Sequence, residues 1–373
     1  MASLMPKIPL LRLLLIFLFF ATTAKAQWWS IQTSGIDTNL RGVSAAYSPD
    51  SNGMPTPVVW ASGSNGVILR SVDQGKTWKR MHVQGGDGLD FRGIAAIDAK
   101  TAYVISSGDG DKSRIYKTTD GGATWNLQYR DARKDFFLDA IACDSAKYCV
   151  ALGDPIDAKF LILATEDGEQ WKELPRDNLP AALPKEGAFA ASGSCLLVDG
   201  DDIYFATGGP AARVFHSPDS GRTWTVTGTP IASGTASSGI FSLTKWDDKL
   251  VAVGGDYAQP TRPYHSAAYS NDAGKTWQLS ASPPGGYRSA VAFVHDGVSV
   301  VAVGPNGEDI SFDQGVHWKR TDSLNLNAVA LLDLDEGWAV GPNGTIARFV
   351  NHRQYNIRYH RGVSNRRRVE TGF

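Results

Sequence analysis

One box recurs six times along this chain and limits its possible folds more than any other feature. Ser71-Val-Asp73-Gln-Gly75-Lys-Thr77-Trp78 returns as Thr118-Thr-Asp120-Gly-Gly122-Ala-Thr124-Trp125. It returns again as Ser217-Pro-Asp219-Ser-Gly221-Arg-Thr223-Trp224 and as Ser270-Asn-Asp272-Ala-Gly274-Lys-Thr276-Trp277. Ser311-Phe-Asp313-Gln-Gly315-Val-His317-Trp318 carries His for Thr, and Thr165-Glu-Asp167-Gly168-Glu-Gln-Trp171 is one residue short. The Asp-to-Asp spacings are 47, 47, 52, 53 and 41 residues. Repetition at ~40–50 residues marks a ring or array of identical supersecondary units, none able to bury its faces alone.

Each box follows a short β-branched or aromatic run that ends in a Gly-rich turn. Examples are Trp60-Ala-Ser-Gly63, Val251-Ala-Val-Gly254 and Val301-Ala-Val-Gly304; a seventh, Trp338-Ala-Val-Gly341, has no box after it. Strand-length runs bounded by Gly, Asp and Asn, with no competing helical period, predict four-stranded antiparallel units. The expected fold is all-β, a seven-bladed β-propeller with six Asp-box turns. In each box the Asp carboxylate is expected to accept N–H groups across the turn. The Gly supplies a positive φ, and the Trp packs on the hairpin just closed. A residue repeated around a ring does the same structural job in each unit, so Asp73, Asp120, Asp167, Asp219, Asp272 and Asp313 read as structural. Trp28-Trp-Ser-Ile-Gln-Thr33 looks like the strand that follows each box. It is therefore expected to complete blade seven and close the ring, removing the open edges.

The S-x-D-x-G-x-T-W boxes resemble those of BNR/Asp-box propellers. The unit of strand, Ala-Val-Gly-x-x-Gly, strand and box resembles the photosystem II stability/assembly factor type of seven-bladed propeller, across residues 28–350. That resemblance implies a non-catalytic scaffold for protein binding or complex assembly. The same box is shared by sialidases, glycanases and sortilin-type receptors, so it marks fold more sharply than function.

Residues 1–26 read as a secretory signal. Lys7 and Arg12 form a basic start, Leu13 to Ala21 is apolar, and Ala24-Lys25-Ala26 is a cleavage site. The apolar run falls short of the ~20 residues a spanning helix needs. No twin-Arg pair is present and no Cys follows the cleavage site, so neither a twin-arginine route nor a bacterial lipoprotein is indicated. The expected compartment is secreted or periplasmic, and the thylakoid lumen only for a photosynthetic source. Residues 27–350 form the propeller and carry 28 Lys and Arg against 37 Asp and Glu. The tail, 351–373, holds six Arg, among them Arg353, Arg358 and Arg361, and is read as a solvated end. An acidic body excludes the basic surface that nucleic-acid binding requires.

Of three cysteines, Cys143 and Cys149 lie on runs that read as paired strands joined by residues 144–148, which brings them close enough to bridge. Cys195 is left as a buried thiol in the first strand of blade four. No zinc or calcium spacing is convincing, so no metal and no cofactor is expected.

Within a blade the boxes mark one end, and the Gly-rich turns and blade crossings share the other. Long spacings place insertions at 176–188 and 256–264, in blades 3–5. Loops on a rigid scaffold are where binding is usually placed. The candidate ligand or partner residues on that face are Arg41, Arg92, Glu186, Asp256, Tyr257, Tyr287 and Arg288. Arginines here present planar donors to a carboxylate or phosphate, with Glu186 and Asp256 as their expected counter-charges. An alternative role is structural, the four charged groups pairing with one another. The other functional class is a sialidase-like glycan-binding or hydrolytic propeller, built on an arginine cluster, a Tyr nucleophile and an acid. Against it, the Phe-Arg-Ile-Pro start of that group reads Leu40-Arg41-Gly42-Val43 here. The partner is expected to be a protein or a glycan on this face, and the chain a monomer.

Overall fold

The computed structural model describes residues 29–349. Residues 1–28, which include the segment read as a secretory signal, and residues 350–373, with the basic tail, lie outside the described residues. The chain forms seven four-stranded antiparallel sheets. Blades 1 to 6 span residues 40–81, 91–130, 138–173, 196–228, 238–279 and 290–322. Blade 7 contains three strands within 328–349, and its fourth is Trp29–Gln32 from the other end of the chain. Trp29 faces Phe349 and Gln32 faces Ile346, so the N-terminal strand closes the ring.

The boxes fold as local cages. In the first, the Ser71 hydroxyl donates to Asp73 Oδ1 at 2.8 Å, and the same Oδ1 accepts from Thr77 N at 2.9 Å. The Thr77 hydroxyl donates to Asp73 Oδ2 at 2.6 Å. Gly75 sits at φ 78°, a left-handed conformation that a Cβ would strain. The degenerate box keeps the logic with one residue fewer: Asp167 Oδ1 accepts from the Glu169 and Gln170 amides, each at 2.8 Å.

The box tryptophans reach further than their own hairpins. Trp125 of blade 2 packs edge-on against Trp60 of blade 1, centroids 5.8 Å apart. Trp171 of blade 3 meets Tyr103 of blade 2 at 6.1 Å. Each box Trp of this kind therefore glues its blade to the preceding one. The core accordingly lies between blades: Val58, Trp60 and Ile68 cluster with Phe91, Val104 and Tyr116. Burial of each such large side chain contributes about 1.5–3 kcal/mol.

Cys143 and Cys149 face each other across the first hairpin of blade 3 and are disulfide-bonded. Cys195 is a buried free thiol. It lies just before the first strand of blade 4, Leu196–Asp199, rather than within it.

Pairing fixes the two ends of each blade. Gly63 faces both Leu40 and Val67, whereas Ser71, the first box residue, faces Val59 further along the same strand. Strand starts and Gly-rich turns thus share one end, and the boxes occupy the other.

Candidate functional site

Four first strands begin with the same irregularity. A register shift falls between Leu40 and Gly42, between Phe91 and Gly93, between Leu138 and Ala140, and between Ile240 and Ser242. The extra residues are Arg41, Arg92, Asp139 and Phe241. A bulge re-aims its side chain out of the sheet, and all four line one cavity of about 490 Å³. Because its walls come from blades 1, 2, 3 and 5 together, the cavity lies on the ring axis, at the end opposite the boxes.

One wall is aromatic. Phe189 stacks on Phe241 at 3.8 Å with the planes 9° apart. Tyr287 meets Phe241 edge-on at 4.7 Å, and Tyr257 does so at 6.0 Å. Phe189 fits because Gly208 has no side chain: a Cβ there would come within 2.3 Å of its ring and 2.7 Å of the Ser238 carbonyl. Tyr257 is half exposed at the rim, while Tyr287 is buried.

The other wall is charged. Arg92 Nε donates to Asp90 at 2.7 Å. Among the described residues Arg41 has no such carboxylate partner, and its buried Nε has no acceptor. Burial, then the positive charge of Arg92, lowers the Arg41 pKa. Burial and repulsion from Asp154 hold the Asp139 carboxyl well above the usual carboxylate range. Asp154 is pushed up by burial to about 6, and its Oδ1 accepts from Ala188 N at 3.2 Å. Asp154 and Phe137 also line an adjoining cavity of about 670 Å³ with Lys134, Asp135, Leu183 and Glu186, so a second hollow lies beside the first towards blades 3 and 4.

Of the seven residues read from the sequence, the structure brings Arg41, Arg92, Tyr257 and Tyr287 together in the axial cavity. Arg288 is not with them. It stands one residue earlier in its strand than the bulge position, which turns its side chain inward between blades. There its Nε donates to Asp309 Oδ2 at 2.8 Å and its Nη1 to Asn306 Oδ1 at 2.6 Å, with no exposed surface. Glu186 is buried and anchors a crossing: it accepts from Arg213 Nε at 2.8 Å, the Thr207 hydroxyl at 2.6 Å and Leu183 N at 2.7 Å. Asp256 caps the 256–259 turn through Ala258 N at 2.9 Å. The four charged groups therefore do not pair with one another. The counter-charges of Arg92 and Arg288 are Asp90 and Asp309, neither of which was singled out from the sequence. Phe189 and Phe241 were also missed.

Fold and cavity together define a seven-bladed Asp-box propeller with an axial cavity, aromatic on one side and charged on the other. The BNR/Asp-box repeat family matches residues 268–279. The chain is similar to the photosystem II assembly lipoprotein Ycf48 of Synechococcus sp. (strain CC9902), at 21% identity over 352 residues, 89% of this chain and 90% of the relative. A solved structure of YCF48 bound to a D1 peptide superposes with TM-score 0.62 at 15% identity, covering 87% of this chain and 97% of the other. YCF48 from Cyanidioschyzon merolae gives TM-score 0.62 at 17% identity, with 86% and 98% covered. This chain is thus a seven-bladed propeller with a BNR/Asp-box repeat, similar in sequence and in fold to these relatives. Its first cysteine is Cys143, within the propeller, although the Synechococcus relative is named a lipoprotein. No helix among the described residues is long and apolar enough to cross a membrane.

Proposed function

We propose that this chain is an exported, non-catalytic protein-binding propeller, an assembly factor of the Ycf48 kind, that holds a peptide segment of its partner in the axial groove. The observation that carries this reading is Arg41, whose buried Nε lacks an acceptor among the described residues inside a cavity that also offers five aromatic rings. A buried donor without a partner costs about 1–3 kcal/mol. An acidic side chain or a C-terminal carboxylate satisfies it, while the rings take up an apolar neighbour. The second hollow, towards Glu186, extends the site to the length of a short peptide. The relative with a D1 peptide bound supports a protein rather than a glycan as partner. The sialidase-like reading loses its arginine cluster, because Arg288 is committed to Asp309 while Arg41 and Arg92 face the cavity. A secretory signal over residues 1–26 delivers the propeller outside the cytosol, to the periplasm or, in a photosynthetic source, to the thylakoid lumen.

The test is binding of a labelled D1 peptide, followed by fluorescence anisotropy, to the wild type and to Arg41→Ala and Tyr257→Ala. Saturable binding that both substitutions weaken, at unchanged melting temperature, is the expected result. Absence of binding, or binding indifferent to both changes, overturns the proposal. Saturation by sialyllactose in place of the peptide favours the glycan class.

A further inference from the structure

The axial cavity holds a second orphan besides Arg41. Asp139 is only 1% exposed, lines the cavity, and its Oδ2 has no hydrogen-bond partner among the described residues. A buried carboxylate oxygen without a donor is among the least tolerable groups in a protein interior. A buried carboxylic acid differs, because its O–H is a donor waiting for an acceptor. We propose that Asp139 binds ligand as a neutral acid, its Oδ2–H donating to a ligand carboxylate that the Arg41 guanidinium also holds, so that capture of an acidic ligand is linked to a proton. This rests on the groove reading above and adds to it the ligand's chemistry, a carboxylate beside an apolar group, and the residue that senses its charge.

The surroundings of Asp139 favour the neutral form. From blade 3 itself Asp154 repels its charge, and burial acts in the same direction. From blade 2 Arg92 opposes this, but Arg92 is already bound to Asp90. Arg41 stands on blade 1, and Tyr257 and Tyr287 border the same cavity from blades 5 and 6. Cys195 approaches from blade 4, its thiol pushed up by burial and by the Asp139 charge. A ligand carboxylate adds one more negative charge next to the pair and binds best while Asp139 keeps its proton. Two buried donors, Arg41 Nε–H and Asp139 Oδ2–H, then share one acceptor group, and neither is left unpaired.

The linkage has a definite sign. Ionisation of Asp139 removes the donor and sets carboxylate against carboxylate. Affinity therefore falls as pH rises through the ionisation of the acid pair, by up to about tenfold per pH unit. An ammonium ligand at the same place would show the opposite slope.

The probe is N-acetylphenylalanine, with its amide as control, titrated calorimetrically into the purified protein between about pH 5 and about pH 8. The acid is expected to bind and the amide to fail, with affinity falling as pH rises. Asp139→Asn keeps a donor but cannot ionise, so it should bind across the whole range with a shallower fall, the ionisation of Asp154 alone remaining. A wild-type profile that is flat or rises with pH, or an unchanged slope in Asp139→Asn, overturns the inference. Should that variant not fold, Asp154→Asn removes the repulsion and moves the fall in affinity to lower pH; an unmoved profile counts against Asp139. Binding of the D1 peptide without binding of N-acetylphenylalanine refutes the carboxylate subsite and leaves the partner reading standing. Failure of both refutes both.

Discussion

Arg288 and Asp309 form an ion pair with essentially no solvent contact: the guanidinium is fully buried, the carboxylate is 2% exposed, and Nε donates to Oδ2 at 2.8 Å. Removing one partner of such a pair strands the other charge in a low-dielectric interior. Arg288→Ala should therefore destabilise the propeller by about 3–5 kcal/mol, with ligand capture by the remaining folded protein intact. Replacing both partners by apolar residues of similar volume should cost much less. Thermal unfolding of Arg288→Ala, Asp309→Leu and the double Arg288→Met/Asp309→Leu checks this. A single substitution as mild as the double one would show that the pair carries no such burden.

The same residue shows where sequence reading stops. Blades, boxes, the closing strand and the Cys143–Cys149 bridge are legible because each depends on residues close in sequence or on a repeated pattern. Arg41 and Arg92 are legible because both stand between a large apolar residue and Gly, at one position of the repeat. Arg288 looks equivalent but is one residue out of register, and in a strand that reverses the direction of a side chain. Alignment of Leu40-Arg41-Gly42, Phe91-Arg92-Gly93, Leu138-Asp139-Ala140 and Ile240-Phe241-Ser242 holds the missing signal: the second position varies freely while its flanks do not. The partners Asp309 for Arg288 and Arg213 for Glu186 are set by blade packing, which no local pattern encodes.

Trp29 is 1% exposed and meets Phe349 edge-on at 5.3 Å. Trp29→Ala should cost about 3–5 kcal/mol. Deleting residues 29–32 should do more, since it leaves the strand Ile346–Phe349 with an open edge that invites aggregation. Unchanged melting temperature and unchanged elution on size exclusion after the deletion would refute closure through this strand.

Peptide mapping should find the Cys143–Cys149 bridge and no link to Cys195. The thiol of Cys195 should react with an alkylating agent only after unfolding, because it is buried and its ionisation is suppressed. The bridge spans six positions of sequence, so its loss should cost only about 2 kcal/mol on the chain-entropy account. Rapid alkylation of the native protein would contradict the burial of Cys195.

Two groups of carboxyls make stability depend on pH in opposite directions. Hydrogen bonds from the Thr124, Thr223 and Thr276 hydroxyls lower Asp120, Asp219 and Asp272 to about 2. Depressed values mean that the contribution is fully present above the unfolded-state pKa near 4 and is lost as pH falls towards 2. Glu308 is the reverse case: burial raises it to about 8, and its Oε2 is unpartnered. The stability of its neutral form is fully present below the unfolded-state pKa near 4.5 and is lost as pH rises through about 8. Glu308→Gln should leave the melting temperature near pH 4 almost unchanged and raise it near pH 8. Asp272→Ala should flatten the acid limb. Calorimetric melting across the pH range distinguishes these from a uniform effect.

Pairing of Trp29 with Phe349 also sets a timetable. Of the described strands, the first to leave the ribosome has no partner until the last arrives, so the final blade waits on the synthesis of all six others. Contacts of such large sequence separation form slowly. Until they form, the sheet of blade 7 lacks its fourth strand and the ring stays open there. A chain that crosses a membrane starting from its N-terminus would gain from this delay, because the ring cannot lock before its last residues have passed through.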